Sequence, residues 1–149
     1  MDFLPILAMV ACLAGCAPKG EPLVITSIPW TEDETATYSI QTQAGETLGS
    51  ATISIIQDGD TWVLSNHEVV NNIPDDFNLT VNAKDLKPLS EERTLVIPTG
   101  GSIPEGTWKI SATFSEDKLT VEADTPQGHQ GPAEFKLPED AFANDEVLF

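Results

Sequence analysis

The chain has 149 residues, with 24 acidic against 7 basic side chains and a formal net charge of −17. Such a surface repels phosphate backbones, and the six lysines and Arg93 are scattered rather than gathered into a stripe, so no nucleic-acid partner is expected. The two cysteines, Cys12 and Cys16, are too few for a disulfide framework or a thiolate metal centre.

The first element is an apolar run from Phe3 to Ala14, interrupted by Pro5. About 20 apolar residues are needed to span a bilayer, so a run of this length reads instead as the core of an export signal. It closes on Leu13-Ala14-Gly15-Cys16 and gives way at once to the polar Ala17-Pro18-Lys19-Gly20-Glu21-Pro22. That order resembles the lipobox of bacterial lipoproteins. The resemblance implies cleavage before Cys16, diacylglycerol on its sulfur, and an extracytoplasmic protein anchored by lipid to the cell membrane or outer membrane. Export signals carry Lys or Arg ahead of the apolar core, whereas the side-chain charge here is Asp2. Either the chain starts further upstream or the amino terminus supplies the positive charge. The competing reading is a buried N-terminal helix with Cys16 an ordinary thiol.

The expected organisation is a signal over residues 1–15, a lipidated cysteine and tether over 16–34, and a single β domain over 35–149. Removing residues 1–15 from 149 leaves 134, enough for one core. Cys12 departs with the signal, so no free thiol remains. Pro18, Gly20, Pro22 and Pro29 punctuate the tether, and Glu32-Asp33-Glu34 ends it. Leu23-Val24-Ile25 and Ile28-Pro29-Trp30 are apolar enough for part of it to pack back as an edge strand.

From Thr35 the pattern has period two, the signature of strands with one apolar face. Ala36, Tyr38 and Ile40 alternate with Thr and Ser, and Gln43-Ala44-Gly45-Glu46 supplies a turn. Gly49, Ala51, Ile53 and Ile55 share the next face. Asp58-Gly59-Asp60 then turns the chain into a strand with Trp62 and Leu64, which predicts one long hairpin over residues 47–70. Phe77, Leu79 and Val81 predict a short strand, residues 85–88 a turn, and Leu95 to Ile97 another strand ending at Pro98. Residues 98–106 read as a loop. Trp108, Ile110, Ala112 and Phe114 alternate with polar residues, and Leu119, Val121 and Ala123 follow a turn at Glu116-Asp117. Pro126 to Pro132 reads as a second loop before Ala133, Phe135 and Leu137. Helix is expected only over residues 139–149. The fold class is therefore all-β, an antiparallel meander forming a curved sheet, a sandwich or a partial barrel.

An apolar face must be covered by something. Tyr38, Ile53, Ile55, Trp62, Leu64, Trp108, Ile110 and Phe114 are the residues expected to line it, either as a dry core or as a surface that receives an apolar small molecule. Gly49, Ala51, Ala112 and Ala123 either leave room for such a ligand or complement the tryptophans.

Tyr38-Ser39-Ile40, Gly45 to Gly49, Asp58 to Trp62, Val81 to Pro88 and Ala141 to Glu146 together resemble an uncharacterised family of exported bacterial β-proteins. More distantly the pattern is similar to the envelope lipoprotein carriers, in which a half-barrel of antiparallel strands holds acyl chains beneath a helical lid. The resemblance implies a membrane-anchored binding or scaffold module, with protein partners unspecified. Members of the exported β-protein family continue beyond the apolar Val147-Leu148-Phe149, so that resemblance implies truncation at the C-terminus as one possibility.

No enzyme is expected. His67 and His129 are the only near-neutral bases. His67 lies beside Glu68 and near Ser65, which suggests an envelope hydrolase as the alternative function, but the nucleophile elbow Gly-x-Ser-x-Gly is missing. Two histidines without thiolates do not make a zinc site, and no cofactor is indicated. Asp58/Asp60, Asp75/Asp76, residues 32–34 and Asn144-Asp145-Glu146 raise a calcium-dependent surface module as a further alternative. None has the spacing of a calcium loop, however, and turn formation explains most of them.

Overall fold

Strong alternation with tight turns between runs gives a sheet whose neighbours in sequence are neighbours in space. The computed structural model describes Ile28 and residues 30–137. Their strands are β1 (Glu34–Gln41), β2 (Thr47–Asp58), β3 (Thr61–Val70), β4 (Ile73–Asn82), β5 (Pro88–Ile97), β6 (Gly106–Phe114), β7 (Lys118–Thr125) and β8 (Gly128–Lys136). All eight form one antiparallel sheet in the order β1-β2-β3-β4-β5-β6-β7-β8. Among the described residues there is one sheet rather than a sandwich, and it is not closed into a barrel. No helix of the described residues is long and apolar enough to cross a membrane. The stretch 139–149, expected to be helical, lies outside the described residues.

The turns follow local chemistry. Asp58 pairs with Thr61 across a two-residue loop in which Gly59 takes φ 59°. Between β3 and β4 the loop residues Asn71 and Asn72 have φ 51° and 64°. Positive φ at both central positions is the type I′ geometry that matches strand twist, and Asn tolerates it.

Three elements are longer than the pattern predicts. β4 begins at Ile73 rather than near Phe77, and β5 begins at Pro88 rather than near Leu95. Ladder pairing holds both together from Asp75↔Leu95 to Val81↔Pro88, although Glu91, Glu92 and Arg93 interrupt the apolar alternation. Pro74 sits within β4 without breaking a ladder, because pairing with β5 starts only at Asp75. The predicted loop at 126–132 is also corrected. The chain turns at Pro126-Gln127, and β8 is in strand conformation from Gly128 onward, pairing Thr125↔Gly128 and Asp124↔His129.

Opposed residues share a face, so the register sorts the sheet into two surfaces. One carries Tyr38, Ala51, Ile53, Ile55, Trp62, Leu64, Phe77, Leu79, Val81, Leu95, Trp108, Ile110, Ala112, Phe114, Leu119 and Val121. The other is dominated by Thr, Ser, Asn and acids. Trp62, Leu79 and Val81 form the buried cluster on the apolar surface, with Ile55, Leu64, Phe77, Ala83 and Leu86 packed against it. The turn after β4 brings in the last two of these: Ala83 N donates to Asp60 O at 2.9 Å and Leu86 N to Asn82 O at 2.9 Å. Ile28 and Trp30 pack on the same cluster, Trp30 meeting Trp62 edge-on at 6.0 Å. That part of the predicted tether thus joins the core as a non-strand segment instead of adding an edge strand.

Candidate functional site

The eight residues expected to line the apolar surface all fall on it, in two groups. Tyr38, Ile53, Ile55, Trp62 and Leu64 lie on β1 to β3, and Trp108, Ile110 and Phe114 lie on β6. Between them, β4 and β5 place Phe77, Leu79 and Val81 together with Asp75, Glu91 and Arg93. Those charged groups, with Asn66 and Glu68 on β3, are on the apolar side by register: Ile53↔Asn66, Glu68↔Asp75, Phe77↔Arg93, Glu91↔Ala112. The sequence pattern did not anticipate them. Arg93 forks onto Asp75, its Nε donating to Oδ1 at 2.9 Å and its Nη2 to Oδ2, and Glu91 is buried at 3% exposure. The surface is therefore mixed: its apolar side chains run from β1 to β8, and Asn66, Glu68, Asp75, Glu91 and Arg93 are set among them on β3 to β5.

Exposure divides the predicted liners. Trp62 is 4% exposed, whereas Tyr38 is 53% and Ile53 43% exposed, and Phe135 on β8 is also exposed. Tyr38 and Ile53 were expected in a shared interior. Both are on the apolar side, Tyr38 on the edge strand β1 and Ile53 on β2 between Ala36 and Asn66. The small residues serve packing: Ala51 and Ala112 are buried, and Gly49 admits the backbone of β3.

Two polar atoms on this side are shielded from solvent with no hydrogen-bond partner, Asn66 Oδ1 and Trp30 Nε1. Leaving such an atom unsatisfied costs about 1–3 kcal/mol, and in native proteins it calls for a specific explanation. Trp108 is satisfied by contrast, its Nε1 donating to Pro104 O at 3.0 Å.

The opposite surface holds both histidines. Thr52, His67, Asp76, Thr94, Lys109, Asp124 and His129 form one continuous cross-strand row. His67 Nδ1 contacts Asp76 Oδ1, and His129 Nδ1 lies 2.9 Å from Asp124 Oδ1. The histidines sit five strands apart, roughly 24 Å along the sheet at the usual spacing, so they cannot share a ligand. Ser65 shares a side with His67 but donates to Asn78 Oδ1 at 2.7 Å, while Glu68 faces the other way. Asp75 and Asp76 likewise face opposite sides, each with its own cationic or histidine partner. Among the described residues no group of three or more His, Cys, Asp or Glu is placed to hold a metal ion. Asn144-Asp145-Glu146 and Cys16 lie outside the described residues. An open groove of about 320 Å³ between β5 and β8 is lined by Glu92, Lys109, Ser111, Glu122, Asp124 and His129, among others.

No family model matches the chain, and no curated protein or solved structure is significantly similar to it.

Proposed function

We propose that this chain is an exported, lipid-anchored binding module, held at a membrane surface through Cys16, which receives an amphiphile on the apolar side of its sheet. The buried, unpartnered Asn66 Oδ1 carries this reading. It is an acceptor set among apolar neighbours, opposite Ile53 on one side and Phe77 on the other. A ligand with an acyl chain and a hydroxyl or amide donor would satisfy it while covering Ile53, Ile55 and Leu64. Fully burying one large aliphatic side chain contributes about 1.5–3 kcal/mol, so a few such contacts make useful affinity. A free fatty acid fits less well, since a carboxylate offers no donor to Asn66 and meets a chain of net charge −17.

A His67 hydrolase is the weaker reading, because Ser65 is directed to Asn78 and not to the histidine.

The anchor is tested by Cys16→Ser. The wild type should sediment with membranes and the variant should be recovered in the soluble fraction; retention of the variant would refute attachment at Cys16. The ligand is tested by native mass spectrometry of full-length protein extracted in mild detergent. One amphiphile per chain is expected, and reduced occupancy in Asn66→Leu. A chain that is always empty would count against the binding reading while leaving the anchor standing.

A further inference from the structure

An open sheet has two edges, and they differ here. β8 carries Gly128, Gly131 and Pro132, a register shift against β7 and Lys136, all of which discourage another strand from adding. β1 has the sequence Glu34-Thr35-Ala36-Thr37-Tyr38-Ser39-Ile40-Gln41, with neither Pro nor Lys, and its ladder with β2 is regular from Glu34 to Ile40.

The direction of its backbone groups follows from two hydrogen bonds. Leu48 O accepts from Asn71 N across β3, and Gln57 N donates to Asp33 Oδ1 on the β1 side. Even-numbered residues of β2 thus bond toward β3 and odd-numbered ones toward β1. The register Ala36↔Ile53, Tyr38↔Ala51, Ile40↔Gly49 makes Ala36, Tyr38 and Ile40 the bonded residues of β1. Thr35, Thr37, Ser39 and Gln41 turn their N–H and C=O groups outward, and those positions are symmetric about Tyr38.

We propose that β1 is a two-fold interface, at which two copies of this chain pair antiparallel about Tyr38 into one continuous sheet. In that register Thr37 meets Ser39 of the second copy and Thr35 meets its Gln41, each pair exchanging two backbone hydrogen bonds. Surfaces also continue across the join: Ala36 faces Ile40 of the second copy, and Tyr38 faces its counterpart at a close, non-bonded position, where aromatic pairs are favourable. This accounts for a tyrosine that is 53% exposed on an apolar surface. Charge does not oppose the register locally, because Glu34 of one copy lies opposite Thr42 of the other, and the two acidic runs at residues 32–34 fall at opposite ends. Repulsion between two chains of net charge −17 acts over longer range and is screened by salt, so the dimer tightens as salt is added.

Tyr38 is the single tyrosine of the chain, which makes it a built-in reporter. Full-length protein should give a two-chain mass in sedimentation velocity, in a fraction that rises with NaCl. Brief photo-oxidation should then yield a cross-linked dimer with dityrosine fluorescence. Thr37→Pro removes an outward N–H without touching the β1–β2 ladder. It should abolish both signals while keeping the far-ultraviolet circular dichroism. Tyr38→Lys, which sets like charges directly opposite each other, should do the same and serves if the proline variant misfolds. A single-chain mass at high protein and salt concentration, or a dimer that survives either folded variant, would overturn the interface.

Discussion

Trp62→Ala should lower the unfolding free energy by about 3–5 kcal/mol, the range for truncating a buried large aromatic. Trp62 is 4% exposed, belongs to the buried cluster with Leu79 and Val81, and receives the edge-on ring of Trp30. Among the described residues only Ala51, Trp62, Leu79, Val81 and Ala112 are buried hydrophobics, and no second cluster of large side chains stands beside Trp62, Leu79 and Val81. A domain of this size is stable by about 5–15 kcal/mol, so the variant would lose about a fifth of that or more. The truncation also strands Trp30, and with it the packing of residues 28 and 30 on the sheet. Urea unfolding followed by circular dichroism measures the loss. Trp108→Ala is the control: Trp108 is only partly buried and should cost clearly less. A loss below about 1 kcal/mol for Trp62→Ala would mean that the core lies elsewhere.

Gly49→Ala should be about as damaging despite adding a single methyl group. A Cβ at this position would lie 1.8 Å from Val69 O, 2.8 Å from Val69 C and 3.0 Å from Val70 Cα. All three are backbone atoms of β3, so no rotamer change relieves the overlap; β2 and β3 must separate where Gly49 pairs with Val70. Overpacking costs about 1–3 kcal/mol when side chains can adjust, and the rigid contact here puts the expected loss at about 3 kcal/mol or above. Gly45→Ala provides the contrast. Gly45 has φ 85° with nothing within 4 Å of an added Cβ, so it bears only the cost of a left-handed backbone, about 1–2 kcal/mol. Urea midpoints of the two variants decide the matter, and equal losses would refute the close-approach argument.

The fold was legible wherever alternation and turn chemistry agreed. Asp58-Gly59-Asp60 between two apolar-polar runs predicts the β2–β3 hairpin, and the structure builds it with a two-residue loop. The runs Trp108 to Phe114 and Leu119 to Ala123 are likewise strands β6 and β7. Misreadings arose where charge or glycine masked the period. Glu91 and Arg93 have the same parity as Leu95 and Ile97, so they share their side of β5; charged residues at those positions hid the seven strand residues 88–94. Gly128, Gly131 and Pro132 suggested a loop, yet an edge strand with one neighbour tolerates them. Asn71-Asn72 between Val70 and Ile73 was a readable turn signal, since Asn accepts positive φ.

The candidate site was half legible. Period two places Tyr38, Ile53, Ile55, Trp62, Leu64, Trp108, Ile110 and Phe114 on one side without any coordinates. Parity also puts Asn66 beside Leu64 and Arg93 beside Leu95, but only the register between strands sets Asn66 between Ile53 and Phe77 and brings Arg93 to Asp75. Parity does not separate buried Trp62 from exposed Tyr38, since that difference comes from position within the sheet.

Quenching of tryptophan emission by a brominated monoacylglycerol is the most direct test that the apolar side of the sheet is a binding surface. All three tryptophans of the chain are usable reporters: Trp62 and Trp108 lie on that side, and Trp30 packs against Trp62. Bromine on the acyl chain quenches only at contact, and the glycerol hydroxyls supply the donor that Asn66 Oδ1 lacks. The account predicts saturable quenching at one ligand per chain, weakened in Asn66→Leu. Emission that stays unchanged up to the solubility limit of the lipid would contradict it.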